Sequence, residues 1–283
     1  MMRRGPVRTL VVHTGGIGDL LLCAPSVQAL GHDGPVEVAG MPDRLALLVG
    51  GGAAVRAHHL DSIGFASAFT GPSARLRDFL AGFNRVVVWM ADKDSSLQAA
   101  LVSCGPRDVR VFPGLPPKDW CEHASHYYLD QLGLGPRPPF QLSAAGPSRE
   151  HDVIIHPGSG GRAKNWPLDR FKTLAARLTH CGRQVEWCLG PAEHEAGFDC
   201  KGEVLCRDEL MALTPDFCGA KLYVGNDSGI THLAAACGCR TLALFGPTDP
   251  VVWAPQGEHV KVLRGTPWPS LDEVAAEAQG EGQ

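Results

Sequence analysis

The chain carries no excess of basic charge. Its 26 lysines and arginines face 30 aspartates and glutamates, a formal net charge of -4. The electropositive footprint of a nucleic-acid binder is therefore missing. No apolar run approaches the length of a transmembrane helix. The basic start, Met1 to Arg8, leads into an apolar segment, but that segment breaks at Thr14-Gly15-Gly16 and soon carries Asp19, which predicts no signal peptide. No sequence repeat is present. The ten cysteines are scattered and form no disulfide framework. Cys23, Cys188, Cys218 and Cys237 stand inside apolar runs, where a reduced thiol acts as a small hydrophobe, as suits a reducing cytoplasm. Cys237 and Cys239 have no matching pair nearby, so zinc is poorly supported. His123 and His126 are spaced i, i+3 on a predicted helix, and without a third ligand they read as a helix face in preference to a metal site.

What is present is the composition of a globular protein, 44% hydrophobic over 283 residues. That length holds one large or two modest domains. Short apolar runs alternate with helical patterns throughout. In the first half, Thr9–His13, Val36–Ala39, Arg56–Leu60, Arg85–Met90 and Val109–Phe112 read as strands. Asp19–Leu30, Asp43–Val49, Ser73–Phe83, Ser95–Cys104 and Asp119–Leu132 read as helices. Gly133–Arg149 is rich in proline and glycine, lacks periodicity, and reads as an interdomain linker. A second alternating unit begins at Val153–His156 and continues through Val185–Leu189, Val204–Cys206, Leu222–Val224, Thr241–Phe245 and Val260–Leu263, with helices between. Pro167 suits the first turn of a helix, and Ser270 with Glu273 forms a capping box for the last one. The reading is α/β: residues 1–135 and 151–283 as two Rossmann-like domains with parallel sheets, joined by a linker at 136–150. Ligands then belong in a cleft at the carboxyl ends of the strands.

Three of those strand ends carry glycine turns. The most informative is Val224-Gly-Asn-Asp-Ser-Gly-Ile-Thr-His232, where an apolar run stops at a tight turn and an alanine-rich helix follows at once. Such a corner aims backbone N–H groups and the positive end of a helix dipole at an anion, most often phosphate. Asp227 reads either as a cap or as a ligand contact, and His232 either as a core histidine or as a donor-facing one. The second is His156-Pro-Gly-Ser-Gly-Gly-Arg-Ala-Lys-Asn-Trp-Pro167. Here the glycines let the backbone approach an anion, and Lys164 adds a point charge. A lysine just before a helix start is unfavourable on its own, and a bound anion removes that conflict. The third is His13-Thr-Gly-Gly-Ile-Gly-Asp19. Its glycines, ending at Gly18, do not fit G-x-G-x-x-G, and no P-loop lysine is present. Asp19 reads either as a carboxylate stabilising its own helix or as a general base.

At these segments the chain resembles family nine of the glycosyltransferases, the bacterial lipopolysaccharide heptosyltransferases. The resemblance rests on Leu10-Val-Val-His-Thr-Gly-Gly-Ile-Gly-Asp19, on His156-Pro-Gly-Ser159 with Lys164-Asn-Trp-Pro167, and on Asp227-Ser-Gly-Ile-Thr-His232 with Phe245-Gly-Pro-Thr-Asp-Pro250. It implies a GT-B fold, with the donor bound mainly by the C-terminal domain. It also implies inverting transfer of a heptose from ADP-heptose to the inner core of lipopolysaccharide, with no metal or other cofactor. Carried over by position, Asp19 is the general base. Gly18, Ser159, Gly160, Lys164, Ser228 and Gly229 hold the donor, chiefly its diphosphate, and Asp227 and His232 line the donor pocket. The partners implied are a nucleotide-sugar and a lipid-linked oligosaccharide, met in the cytoplasm or at the inner face of the inner membrane. Two departures stand out. His13 occupies a position where members often carry arginine or lysine. The chain is also short for the family in its N-terminal half, where Arg44, Arg56, Arg75, Arg77 and Arg85 are spread out instead of clustered. The same residues also accommodate another nucleotide-sugar or acceptor, a nucleotide-sugar epimerase of the same fold, or a non-catalytic nucleotide-sugar binding protein.

Overall fold

A computed structural model describes residues 6–190, 193, 197, 198, 200 and 202–280. The chain divides into two compact units: residues up to Trp120 with Ala124–Phe140, and Cys121–His123 with Gln141 onward. The first unit is a five-stranded parallel sheet in the order β3-β2-β1-β4-β5. Its strands are β1 (Thr9–His13), β2 (Val36–Gly40), β3 (Arg56–His59), β4 (Arg85–Trp89) and β5 (Asp108–Phe112). Its helices are α1 (Ile17–Leu30), α2 (Pro42–Gly50), α3 (Ala74–Leu80), α4 (Ser96–Val102) and α5 (Ala124–Gln131). β1 is buried along its whole length, which is why Leu10–Val12 reads as a continuous apolar run; β2 is equally buried but carries Glu37, paired with Arg8 and His58.

The second unit is a six-stranded parallel sheet in the order β11-β10-β9-β6-β7-β8. Its strands are β6 (His151–His156), β7 (Val185–Cys188), β8 (Glu203–Leu205), β9 (Ala220–Asn226), β10 (Thr241–Phe245) and β11 (Val260–Arg264). α6 (Leu168–His180) buries Phe171, Leu174, Ala175 and Leu178 against this sheet, and ends where Gly182 adopts φ +83°. The last helix, Leu271–Gln279, has the expected capping box: Ser270 accepts from the Glu273 N–H while Glu273 returns to the Ser270 N–H. In each sheet the chain reverses its direction of growth at one place, between β1 and β4 and between β6 and β9. Those reversals leave a crevice at the carboxyl ends of the strands, the customary ligand position in doubly wound sheets.

Several expectations shift. α1 begins at Ile17, two residues before the predicted start, because Gly16 takes the extended N-cap conformation and Asp19 folds back onto its N–H. α5 begins at Ala124, so His123 precedes it and does not share its face with His126. Residues 141–149 of the predicted linker are bonded into the second unit. There Leu142 N–H donates to Ala236, Ala145 N–H to Thr214 Oγ1, and Arg149 N–H to Pro215. The helix expected between β7 and β8, and residues 1–5 of the basic start, fall largely or wholly outside the described residues. All ten cysteines are free thiols. Among the described residues no helix is long and apolar enough to cross a membrane.

Candidate active site

The second unit assembles most of the predicted residues around the β6–β9 crevice. β6 ends at His156, which is buried and holds its Nδ1 2.8 Å from the Cys188 carbonyl. Burial lowers its pKa, so the ring is neutral and anchors the turn. Pro157 and Gly158 follow. A Cβ at Gly158 would meet the carboxylate of Glu193, so any larger residue there would have to displace that side chain. Gly160, by contrast, is exposed with open space where a Cβ would stand. Its contribution is to leave the backbone uncovered. Ser159 turns inward on its own loop, its Oγ 2.6 Å from Asn165 Oδ1 and 2.8 Å from the Gly161 carbonyl, which share its single proton. A short 3-10 turn, Arg162–Lys164, then presents the lysine.

Lys164 Nζ lies 2.8 Å from Asp227 Oδ2. The carboxylate is buried and the lysine side chain is 40% exposed, so the cation rests on a buried anionic seat. A carboxylate buried to this degree needs a partner, because leaving it uncompensated is costly. Ser228 follows as the N-cap of the helix Gly229–Ala236, its Oγ accepting from Thr231 N–H at 3.3 Å. That bond serves one donor of the first turn. The N–H groups of Gly229 and Ile230 lie ahead of it, at the positive end of the helix dipole. Lysine, the Ser159 turn and the helix start are thus carried by adjacent strands, β6 and β9.

His232 sits one turn into that helix and is buried. Burial holds its pKa well below the usual histidine value, against the opposing pull of Asp227 and a bond to the Trp253 backbone. The ring is a neutral hydrogen-bonding group that ties this helix to Pro250–Trp253, the helix capped by Asp249 of the Phe245–Pro250 motif. His123 Nε2 lies 2.8 Å from the Ala254 carbonyl in the same unit. Among the described residues no group of three or more histidine, cysteine or acidic side chains is arranged to hold a metal.

Gly18 and Asp19 belong to the first unit. Gly18 is the second residue of α1, half-buried and already helical. Asp19 is the third, and its Oδ2 accepts from Gly16 N–H at 3.0 Å. The aspartate therefore does cap its helix, and any catalytic duty is additional to that. Gly15 is required by packing: a Cβ there would stand 2.8 Å from His13 Cε1 and 3.0 Å from Asp19 Cβ. Arg44 of α2 donates to the Gly15 carbonyl at 2.8 Å and so pins the same turn. His13 is buried, its Nε2 has no hydrogen-bond partner, and burial with the Arg44 charge pushes its pKa down to about 4. Of the other spread arginines, Arg85 is engaged with Asp33 and Asp108, while Arg56, Arg75 and Arg77 are exposed.

Sequence reasoning missed three contributors: Arg44, Asn165 and Asn226. Asn226 is fully buried at the end of β9. An amide ending a buried strand must find partners, and that was the available signal.

Comparisons with known proteins bear on the family and the fold. The family model described as glycosyltransferase family 9 (heptosyltransferase) matches residues 136–280, half of the chain. Lipopolysaccharide heptosyltransferase 1 of Pseudomonas aeruginosa is 35% identical over 116 residues, 39% of this chain and 32% of the relative. Lipopolysaccharide heptosyltransferase 2 of Salmonella typhimurium is 31% identical over 115 residues, 37% of this chain and 33% of the relative. The matched stretches thus span about a third of those curated relatives. Among solved structures, a family 9 glycosyl transferase from Veillonella parvula superposes with TM-score 0.73 at 18% identity, covering 99% of this chain and 94% of its own. E. coli ADP-heptose lps heptosyltransferase II gives 0.71 at 20% identity, covering 96% and 98%. The E. coli heptosyltransferase WaaC with ADP gives 0.65 at 18%, covering 96% and 97%. These likenesses establish the fold, the GT-B type built from two Rossmann-like units. By the family match and the motifs on which it falls, the chain belongs to glycosyltransferase family 9.

Proposed function

We propose that the protein is an inverting heptosyltransferase, moving a heptose from ADP-heptose to an inner-core lipopolysaccharide acceptor without a metal ion. The observation that carries this reading is the Lys164–Asp227 pair beside the capped helix start at Ser228, on the two strands that flank the crevice. A departing nucleoside diphosphate gathers negative charge on its outer phosphate. Lys164 and the first-turn N–H groups are fixed before reaction and meet that charge in place of a metal. Asp227 seats the lysine. Neutral His232 offers a hydrogen bond to the donor without adding charge. In the first unit, Asp19 takes the proton of the attacking acceptor hydroxyl, a role worth about 10²–10⁴-fold for a well-placed base. The solved relatives whose names include ADP or an ADP-heptose analogue support ADP as the nucleotide. In this reading the acceptor is lipid-linked, and the protein works in the cytoplasm with peripheral contact at the inner face of the inner membrane.

The test is product analysis of purified protein with ADP-heptose, with and without a heptose-deficient core oligosaccharide. Acceptor-dependent release of ADP with inversion at the anomeric carbon is expected, unchanged by chelator. An altered sugar-nucleotide formed from donor alone identifies an epimerase instead, and binding without turnover identifies a non-catalytic protein.

A further inference from the structure

The loop that carries Ser159, Gly160 and Lys164 is closed by one side chain. Asn226 is wholly buried. Its Nδ2 donates to the Pro157 carbonyl at 2.7 Å and, at a longer 3.5 Å, to that of Gly158. Its Oδ1 accepts from the Trp166 N–H at 2.8 Å. The first stem of loop 157–166 and its last residue therefore meet on a single carboxamide from the neighbouring strand. The amide's orientation follows from its partners, since a backbone carbonyl needs the NH2 and a backbone N–H needs the oxygen. The far stem is fixed further: Trp166 is buried, and its Nε1 donates to the Pro269 carbonyl at 3.1 Å. Within the loop, Asn165 Oδ1 accepts from Ser159. The residue after the clamp, Asp227, receives the Lys164 ammonium.

We propose that Asn226 is a positioning residue that sets the closure of this loop, so that Lys164 and the Ser159 turn face the same diphosphate as the helix start at Ser228. This inference rests on the reading of the site as a nucleoside-diphosphate cradle. Asn226 acts through the Pro157 carbonyl and the Trp166 N–H, and its effect falls on the phosphates and not on the nucleoside. Aspartate at this position has nearly the same shape but no donor, and it would turn a carboxylate oxygen onto the Pro157 carbonyl. Alanine removes both contacts.

The test titrates wild type, Asn226→Ala, Asn226→Asp, Lys164→Ala and the Asn226→Ala/Lys164→Ala double variant with ADP and with AMP. Amide hydrogen exchange across 157–166 is followed in parallel without nucleotide. Asn226→Ala and Asn226→Asp should each weaken ADP binding about 10–100-fold, the scale of one or two buried hydrogen-bonding partners. AMP should change by less than about threefold. Added to Lys164→Ala, Asn226→Ala should cost less than about threefold more, because the lysine it positions is already gone. Equal losses for ADP and AMP, full additivity with Lys164→Ala, or unchanged ADP affinity would overturn the role. Leu178→Ala, in the fully buried core of α6, lowers stability while leaving the Asn226 bonds to the loop in place, and should leave ADP affinity intact. A matching loss there would also overturn the role. Wild-type protein that binds no ADP removes the cradle reading, and exchange then decides the clamp alone. Faster exchange at Trp166 in Asn226→Ala supports it, and unchanged exchange overturns it.

Discussion

Two corners of the molecule follow the same plan and use their aspartates differently. At the β1–α1 corner, Asp19 stands inside the helix and accepts from the Gly16 N–H. At the β9 corner, Asp227 stands one residue before the cap, Ser228 does the capping, and Asp227 is left to hold Lys164 from another loop. A shift in register along one strand–turn–helix unit separates a carboxylate bound to its own backbone from one that seats a cation. The glycines differ in the same way. Gly15 is forced by packing against His13 and Asp19, whereas Gly160 has nothing near its missing side chain.

The largest expected effect breaks the comparison at the first corner. Asp19→Asn keeps an acceptor oxygen for the Gly16 N–H but removes the proposed base, so sugar transfer should fall about 10²–10⁴-fold. ADP binding, assigned to the second unit in the proposed function, should remain. Steady-state turnover and calorimetry read the two separately, and normal turnover would return Asp19 to a purely capping role. At the second corner, Lys164→Ala should weaken ADP binding about tenfold or more and slow turnover by a similar factor. Unchanged kinetics would remove the lysine from the phosphate site.

The first corner also carries a pH dependence of stability. His13 is neutral when folded, with its pKa at about 4 against an ordinary 6.5. Above pH 6.5 neither state carries the proton and the stability contribution is complete. As pH falls from 6.5 toward 4 the unfolded chain binds a proton that the folded chain refuses, so stability is lost. For this nearly fully buried ring the loss is roughly 3 kcal/mol over that window. His13→Leu should flatten the pH dependence of denaturant unfolding by one proton between those values. An unaltered slope would show that His13 is protonated in the folded state. The smallest contrast concerns glycine. Gly15→Ala should destabilise by about 1–3 kcal/mol through overpacking. Gly160→Ala should stay within about 0.5 kcal/mol in melting experiments. Equal effects would mean that the two turns are alike.

Much of the fold was legible because fully buried parallel strands leave continuous apolar runs, as in Leu10–Val12 and Leu242–Phe245. Boundaries were less so. Gly16 and Gly18 flank the true start of α1 and weaken its helical pattern, while Asp19 mimics an N-cap three residues late. At the site, Lys164 and Asp227 each stood out beside a glycine turn. Their bond spans 63 positions and follows from the adjacency of β6 and β9, which no local pattern reports. Asn226 was hidden by its neighbours: between Gly225 and Asp227 it reads as turn, although it ends a buried strand and its side chain is wholly committed to the loop opposite.

The most direct test of the account is isothermal titration of the purified protein with ADP-heptose, ADP, UDP and NAD, without added metal. Selective binding of ADP-heptose and ADP, lost in Lys164→Ala, is the predicted result. Preference for UDP or NAD, or no nucleotide binding at all, would contradict heptosyl transfer from ADP-heptose and leave Lys164–Asp227 as a structural ion pair.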